Sequence, residues 1–171
     1  MKKIVIIGAN DFQNQLILKA KEMGFETHVF AWKDGSVGER TADYFYPISI
    51  VETKQILEKC REIKPDAVAS IASDLANITV SKVASGLGLP CNSQECIRLS
   101  TNKYAMREAF TQARIATPRF YRVDRIEPYL FGMKLPIIVK PTDRSGSRAI
   151  TKITDFENLE QAIRDAVAQS F

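Results

Sequence analysis

A chain of 171 residues is long enough for one ordinary domain, or for a small domain and part of a second. Its 45% hydrophobic and 26% charged residues, without a biased tract, describe a soluble globular protein rather than a fibrous or low-complexity one. The balance of 24 basic to 20 acidic residues is scattered, without the aromatic-interleaved basic patch that nucleic acid favours, and no apolar run nears the roughly 20 residues that cross a bilayer. A cytoplasmic protein with neither nucleic acid nor membrane as partner is expected.

In chain order, Lys3-Ile-Val-Ile-Ile7 is a short β-branched run of the kind buried on both faces of a parallel sheet. After Gly8, the spacing of Phe12, Leu16, Ala20 and Met23 predicts a helix with those residues inward, ended by Gly24. Residues 26–32 and 44–48 read as the second and third strands. Ser49-Ile-Val-Glu52 has the form of a capping box, opening a helix with Ile56, Cys60 and Ile63 inward and closing before Pro65. A fourth strand at 67–71 and a helix carrying Ala76, Val80, Val83 and Leu87 complete an alternating βαβα order, which predicts a parallel sheet with helices on both faces.

The character changes after Leu89. A short helix is expected at 95–99 and a longer one at 102–113, the second with Met106, Ala109, Phe110 and Ala113 inward, broken by Thr117-Pro118. A strand at 119–123, a helix near 126–132, a buried strand at 136–140 and its hairpin partner at 149–153 follow. Thr154-Asp-Phe-Glu157 has the form of a second capping box, before a helix with Phe156, Leu159, Ile163 and Val167 inward. A sheet made of these last strands alone would be small, with an open edge and a bare face.

Cys60, Cys91 and Cys96 form no C-x-x-C pair, and with His28 as the one histidine they are expected to be reduced thiols, not metal ligands. His28 lies in a strand-like run and reads as a packed residue. No G-x-S-x-G elbow or histidine partner supports a hydrolase. The turn Gly8-Ala-Asn-Asp-Phe-Gln13 lacks G-x-G-x-x-G, and Asp34 stands past the place of a ribose-binding acid, so NAD binding is not expected. The segment Leu135-Pro-Ile-Ile-Val-Lys140-Pro-Thr-Asp-Arg-Ser-Gly-Ser-Arg148 delivers a lysine at the end of a rigid strand. Backbone N–H groups around Ser145, Gly146 and Ser147 can point at phosphate oxygens, with Arg148 as a further donor; a polar hairpin with a solvated tip is the plainer reading.

Upstream stand Asn92-Ser93, then Asn102-Lys103 followed by Met106-Arg107, then Ile115-Ala-Thr-Pro118. With Pro136-Ile-Ile-Val-Lys140-Pro141 and its loop, this series resembles the ATP-grasp superfamily: carbamoyl phosphate synthase large subunit, biotin carboxylase and the purine-pathway ligases. The resemblance implies an α/β chain with a Rossmann-like parallel-sheet domain at 1–92 and the first, incomplete α+β part of an ATP-grasp domain at 93–171. It implies that Lys103 and Lys140 contact ATP phosphates and that Ser145, Gly146, Ser147 and Arg148 belong to the closing loop, where Ala149 replaces a glycine common in the family. It implies a non-nucleotide substrate, a small carboxylate or amine, at Asn10, Asp11, Gln13, Ser73 and Asp74; Asn10 and Asp74 read equally as helix N-caps. A homodimer is a further partner to test for. The Mg²⁺ ligands and the adenine-holding segment would lie past residue 171. The expectation is therefore an N-terminal portion of an ATP-dependent carboxylate–amine or related ligase, inactive in ATP turnover by itself. The alternative is a non-catalytic nucleotide-binding or regulatory module of the same fold.

Overall fold

The computed structural model describes residues 1–170, which divide into two compact units, Met1–Ile97 and the chain from Arg98 onward. In the first unit, β1 (Lys3–Ile7), β2 (Glu26–Phe30), β3 (Tyr44–Tyr46) and β4 (Ala67–Ala69) form a parallel sheet in the order β3-β2-β1-β4. The connecting helices are α1 (Asp11–Glu22), α2 (Val37–Thr41), α3 (Thr53–Ile63) and α4 (Asp74–Gly86). The chain moves outward from β1 to β3, then returns to place β4 on the other side of β1. This reversal puts a topological switch point at the carboxyl ends of β1 and β4, where open sheets of this kind receive ligands.

β1 shows why the sheet is covered twice. Val5 and Ile7 pack with Phe30 against Ile56, Cys60, Ala76 and Val83 of α3 and α4. Ile6, pointing the other way, packs with Val29 against Ile17 and Ala20 of α1. All three β1 side chains are fully buried, each contributing about 1.5–3 kcal/mol of apolar burial. Burial also pushes the Cys60 thiol up to about 12, so it stays a packed, unreactive group. His28 is buried too, stacked 4.7 Å from Tyr44, with Nδ1 3.0 Å from the Tyr46 hydroxyl and Nε2 2.8 Å from Glu26.

The inward face of α1 differs from the expected one. Phe12 and Met23 are 65% and 63% exposed, while Gln13, Asn14, Ile17 and Ala20 are buried. The stripe turns toward polar Gln13 because its carboxamide donates to the carbonyl of Ile71 just beyond β4, satisfying a group that burial would otherwise penalise. The expected capping box at Ser49 is also absent: residues 49–52 make a turn, Ser49 Oγ accepts from Val51 N at 3.4 Å, and α3 starts at Thr53 with no side-chain cap.

α5 (Gln94–Thr101) straddles the division between the units, so the boundary lies a few residues past the expected 92. The second unit holds α6 (Lys103–Gln112), a 3-10 turn at Pro128–Gly132, the antiparallel pair β5 (Ile137–Val139) and β6 (Thr151–Ile153), and α7 (Leu159–Gln169). Its core gathers Leu130, Ile153, Leu159, Ala162 and Ile163, with Ile137 and Val139 packed against them. Ile138, on the other face of β5, is 54% exposed.

Residues 119–123 do not form the expected strand. Extended backbone becomes a strand only with a hydrogen-bonding neighbour, and here the aromatic side chains bind the segment instead: Phe120 sits edge-on to Tyr104 at 5.6 Å and Tyr121 meets Tyr129 at 5.4 Å. The second capping box is replaced by a turn in which Asp155 Oδ1 accepts from Glu157 N at 3.1 Å, delaying α7 to Leu159. Val167, expected inward, is 44% exposed. Among the described residues, no helix is long and apolar enough to cross a membrane.

Candidate nucleotide site and substrate crevice

Lys103 owes its position to the residue before it. Asn102, with extended backbone, accepts from Ala105 N at 2.9 Å through its side chain, so Lys103 becomes the first helical residue of α6. A first-turn N–H has no intrahelical acceptor, and that of Lys103 donates to the Thr142 carbonyl at 2.7 Å. The Lys103 ammonium donates to the carbonyl of Arg144. Lys140 follows β5 directly, exposed, with buried Pro141 after it.

Both lysines border one groove of about 670 Å³. One wall is apolar, from Ile137, Val139, Leu159 and Ile163, and the rim is cationic, with Arg107, Arg119, Arg122 and Lys134 joining the two lysines. Tyr104 and Phe120 line it too, with the Arg122 guanidinium 6.0 Å from the Tyr104 ring centre. Arg107 ties α6 to the following bend by donating to Thr117 Oγ1 at 2.8 Å. An apolar wall beside a basic rim suits a base joined to phosphates.

The structure brings Lys103 and Lys140 together at this groove, while Ser145, Gly146, Ser147 and Arg148 are exposed and do not line it. Their loop has positive φ at Gly146 (71°), Ser147 (56°) and Ala149 (49°). The groove's aromatic and arginine lining was not foreseen from sequence; the clue was Tyr104 beside Lys103 and the Arg-Phe-Tyr-Arg run at 119–122.

In the first unit, Gly8 leaves β1 at φ 102°, a conformation a side chain would disfavour. Asn10 then caps α1, its Oδ1 accepting from Phe12 N at 2.9 Å and Gln13 N at 3.4 Å. At the end of β4 the cap of α4 is Ser73, accepting from Ala76 N at 3.2 Å, rather than Asp74. Gln13 is 1% exposed and bridges to Ile71. Asn10 and Asp11 open on a shallow cavity of about 420 Å³ shared with Asp34 and Ser36 of the β2–α2 connection and with Arg40 of α2, not with Ser73 or Asp74. That connection packs tightly: Gly38 N donates to the Ala9 carbonyl at 3.0 Å, and a Cβ on Gly38 would lie 2.7 Å from the same oxygen. Asp34 accepts from Ser36 N and Oγ, which lowers its carboxyl pKa.

No protein-family model matches the chain. Among curated relatives, it is 22% identical to the formate-dependent phosphoribosylglycinamide formyltransferase of Prochlorococcus marinus (strain MED4), over 99% of this chain and 44% of that protein. Among solved structures, it resembles a phosphoribosylglycinamide synthetase from Anaerococcus prevotii, with 25% identity, a TM-score of 0.68, and coverage of 99% of this chain and 42% of the other. It also resembles the biotin carboxylase domain dimer of the Hydrogenobacter thermophilus 2-oxoglutarate carboxylase, in complex with MgADP, ADP and bicarbonate: 19% identity, TM-score 0.76, and 98% of this chain against 42% of that one. The chain thus spans less than half the length of these relatives. In fold it resembles the N-terminal portion of these relatives, a mixed α/β arrangement that begins with a parallel four-stranded sheet.

Proposed function

We propose that this chain is the nucleotide-binding N-terminal portion of an ATP-dependent ligase, one that activates a carboxylate or bicarbonate as an acyl phosphate for attack by an amine or related nucleophile. The observation that carries the reading is the meeting of Lys103 and Lys140, from separate segments, at one groove with an apolar wall. In this reading both ammonium groups bind and orient the polyphosphate and neutralise charge on the transferring group, the main task of protein groups in phosphoryl transfer. Loop residues Ser145, Gly146, Ser147 and Arg148 close over the phosphates with backbone N–H, hydroxyl and guanidinium donors.

Mg²⁺, when bound with ATP, supplies further neutralisation of the phosphates. No group of three His, Cys, Asp or Glu side chains that could hold a metal ion occurs among the described residues. The non-nucleotide substrate is assigned to the carboxyl ends of β1 and β4, with Asn10, Asp11, Gln13, Ser73 and Asp74 as its surroundings. Because Asn10, Gln13 and Ser73 already hold backbone groups, Asp11 and Asp74 are the members left to meet a substrate amine. The whole protein is proposed to act in the cytoplasm and to pair as a homodimer.

Titration calorimetry with ATP tests the assignment on the chain itself. Lys140→Ala should weaken binding by ~2 kcal/mol, about thirty-fold, if a charge-assisted contact is lost. An unchanged dissociation constant, or binding of NADH in place of ATP, would overturn it.

A further inference from the structure

α2 is pinned to its neighbours along its short length. Gly38 N donates to the Ala9 carbonyl at 3.0 Å, and the Lys21 ammonium of α1 donates to the Thr41 carbonyl at 2.9 Å and to Asp43 Oδ1 at 2.7 Å. The two helices are thereby held at a fixed separation, and so is the cavity of about 420 Å³ that borders both. The turn leading into α2 is tied as well. Gly35 stands at φ 81°, and the N–H groups of Asp34 and Gly35 converge on Glu39 Oε1 at 2.9 and 2.7 Å.

Successive backbone N–H groups arranged in this way form a nest that takes an anion. Here the chain supplies its own, the Glu39 carboxylate, so the nest is closed to an external phosphate. Ser36 N and Oγ both donate to Asp34 Oδ1, and Asn10 Oδ1 is spent on the cap of α1. The charged side chains that line the cavity are less committed. Asp11 in the first turn of α1 and Arg40 in the last turn of α2 form no hydrogen bond or ion pair among the described residues, and Asp34 keeps its second oxygen. Opposite charges that would pair if free to meet are held apart across one space. A lone anion at Arg40 would face two carboxylates, and a lone cation at the carboxylates would face the guanidinium. A molecule carrying both charges suits both walls.

We propose that this cavity binds a free α-amino acid, its ammonium on Asp11 and Asp34, its carboxylate on Arg40, and its side chain toward Val37. A planar guanidinium can take a carboxylate in two parallel hydrogen bonds, which makes Arg40 the group that selects an amino acid over a simple amine. The assignment rests on the reading that this edge of the sheet receives the non-nucleotide substrate, and it names the class of that substrate. Asp11 is common to both, whereas Asp74 does not border the cavity.

Amide NMR on the whole chain with an equimolar mixture of the twenty protein amino acids tests it. Shifts are expected at Asp11, Ser36 and Arg40, and titration of the single amino acids then identifies the tightest. Its carboxamide, which lacks the carboxylate, and its N-acetyl form, which lacks the ammonium, should each bind roughly ten-fold more weakly, as one charged contact is lost. Arg40→Gln should weaken the amino acid by the same factor and leave its carboxamide unaffected. Arg40 holds no other described group, and the comparison of the three ligands needs no variant at all. No shift at these amides with any of the twenty, equal binding of the three forms, or equal weakening of amino acid and carboxamide in Arg40→Gln would overturn the site. Calorimetric binding of ATP with no amino-acid shifts would overturn this proposal alone. Amino-acid binding without ATP binding would overturn the nucleotide reading and leave the cavity's assignment standing.

Discussion

β1 and β5 are both short isoleucine- and valine-rich strands, yet they live in different surroundings. In β1, helices cover both faces, and Val5, Ile6 and Ile7 have no exposed surface. In β5, Ile137 and Val139 join a core on one face while Ile138 on the other is half exposed. The same residue types serve a closed, two-sided core in the first unit and a one-sided core beside an open groove in the second. Composition of a strand therefore says that it will be buried, but the number of helices around it decides on how many faces.

The sharpest way to break this comparison is to truncate the same residue in both places. Ile6→Ala should cost about 3 kcal/mol or more, from lost transfer energy and the cavity left in a sealed core. Ile138→Ala should cost less than about 0.5 kcal/mol, as expected at a solvent-facing site. Urea unfolding of each variant gives both numbers, and equal costs would show that the β5 face is covered in solution. Next in size is Gly38→Ala. Its Cβ would fall 2.7 Å from the Ala9 carbonyl oxygen and 2.9 Å from Ala9 Cα, backbone atoms that cannot turn aside. A loss of about 2 kcal/mol is expected, with a changed environment for Asn10 and Asp11 in amide NMR shifts.

A smaller effect belongs to pH. Asp43 is held down to about 2 from an ordinary 3.8, chiefly by the Lys21 ammonium and then by hydrogen bonds from Thr27 N and Oγ1. The fall amounts to at most about 2.5 kcal/mol; with 34% of the side chain exposed, screening reduces it to roughly 1. Because the folded carboxyl is the stronger acid, this stability is present above about pH 4 and is lost as pH falls toward 2. Asp43→Asn should lower the melting temperature at neutral pH and flatten its dependence between those values. A parallel acid slope in variant and parent would remove Asp43 from the account.

The parallel sheet was legible because β-branched runs alternating with amphipathic segments leave few alternatives. The two groove lysines were legible because each sits at a helix or strand end that the sequence marks, Asn102 before one and a proline after the other. What stayed hidden depended on partners far along the chain. The inward face of α1 turned because Gln13 finds the Ile71 carbonyl, 58 residues away. Tyr104 and Phe120 became groove lining only once the segment at 119–123 folded against α6 instead of pairing as a strand. The caps failed for a local reason: Ser49 and Asp155 found nearer backbone donors in turns before the helices began.

The smallest prediction returns to the two units through one residue type. Ala72, between β4 and α4, and Ala149, in the loop between β5 and β6, both stand at positive φ, 56° and 49°. An alanine there gives up roughly 1 kcal/mol that glycine would not, and glycine returns about half of that through greater freedom in the unfolded chain. Ala72→Gly and Ala149→Gly should each therefore stabilise by about 0.5 kcal/mol, read as a small rise in melting temperature. Their consequences for loop motion should differ. Ala72 is clasped by neighbours, with the Ile71 carbonyl taken by Gln13 and Ser73 capping α4. Ala149 lies in an exposed loop whose strain opposes its ties to α6 and α7. Relieving strain at Ala149 should slow tryptic cleavage after Arg144, whose carbonyl and side chain make those ties, while Ala72→Gly leaves that rate alone. Equal slowing by both would mean that the strain is shared across the chain rather than stored in the β5–β6 loop.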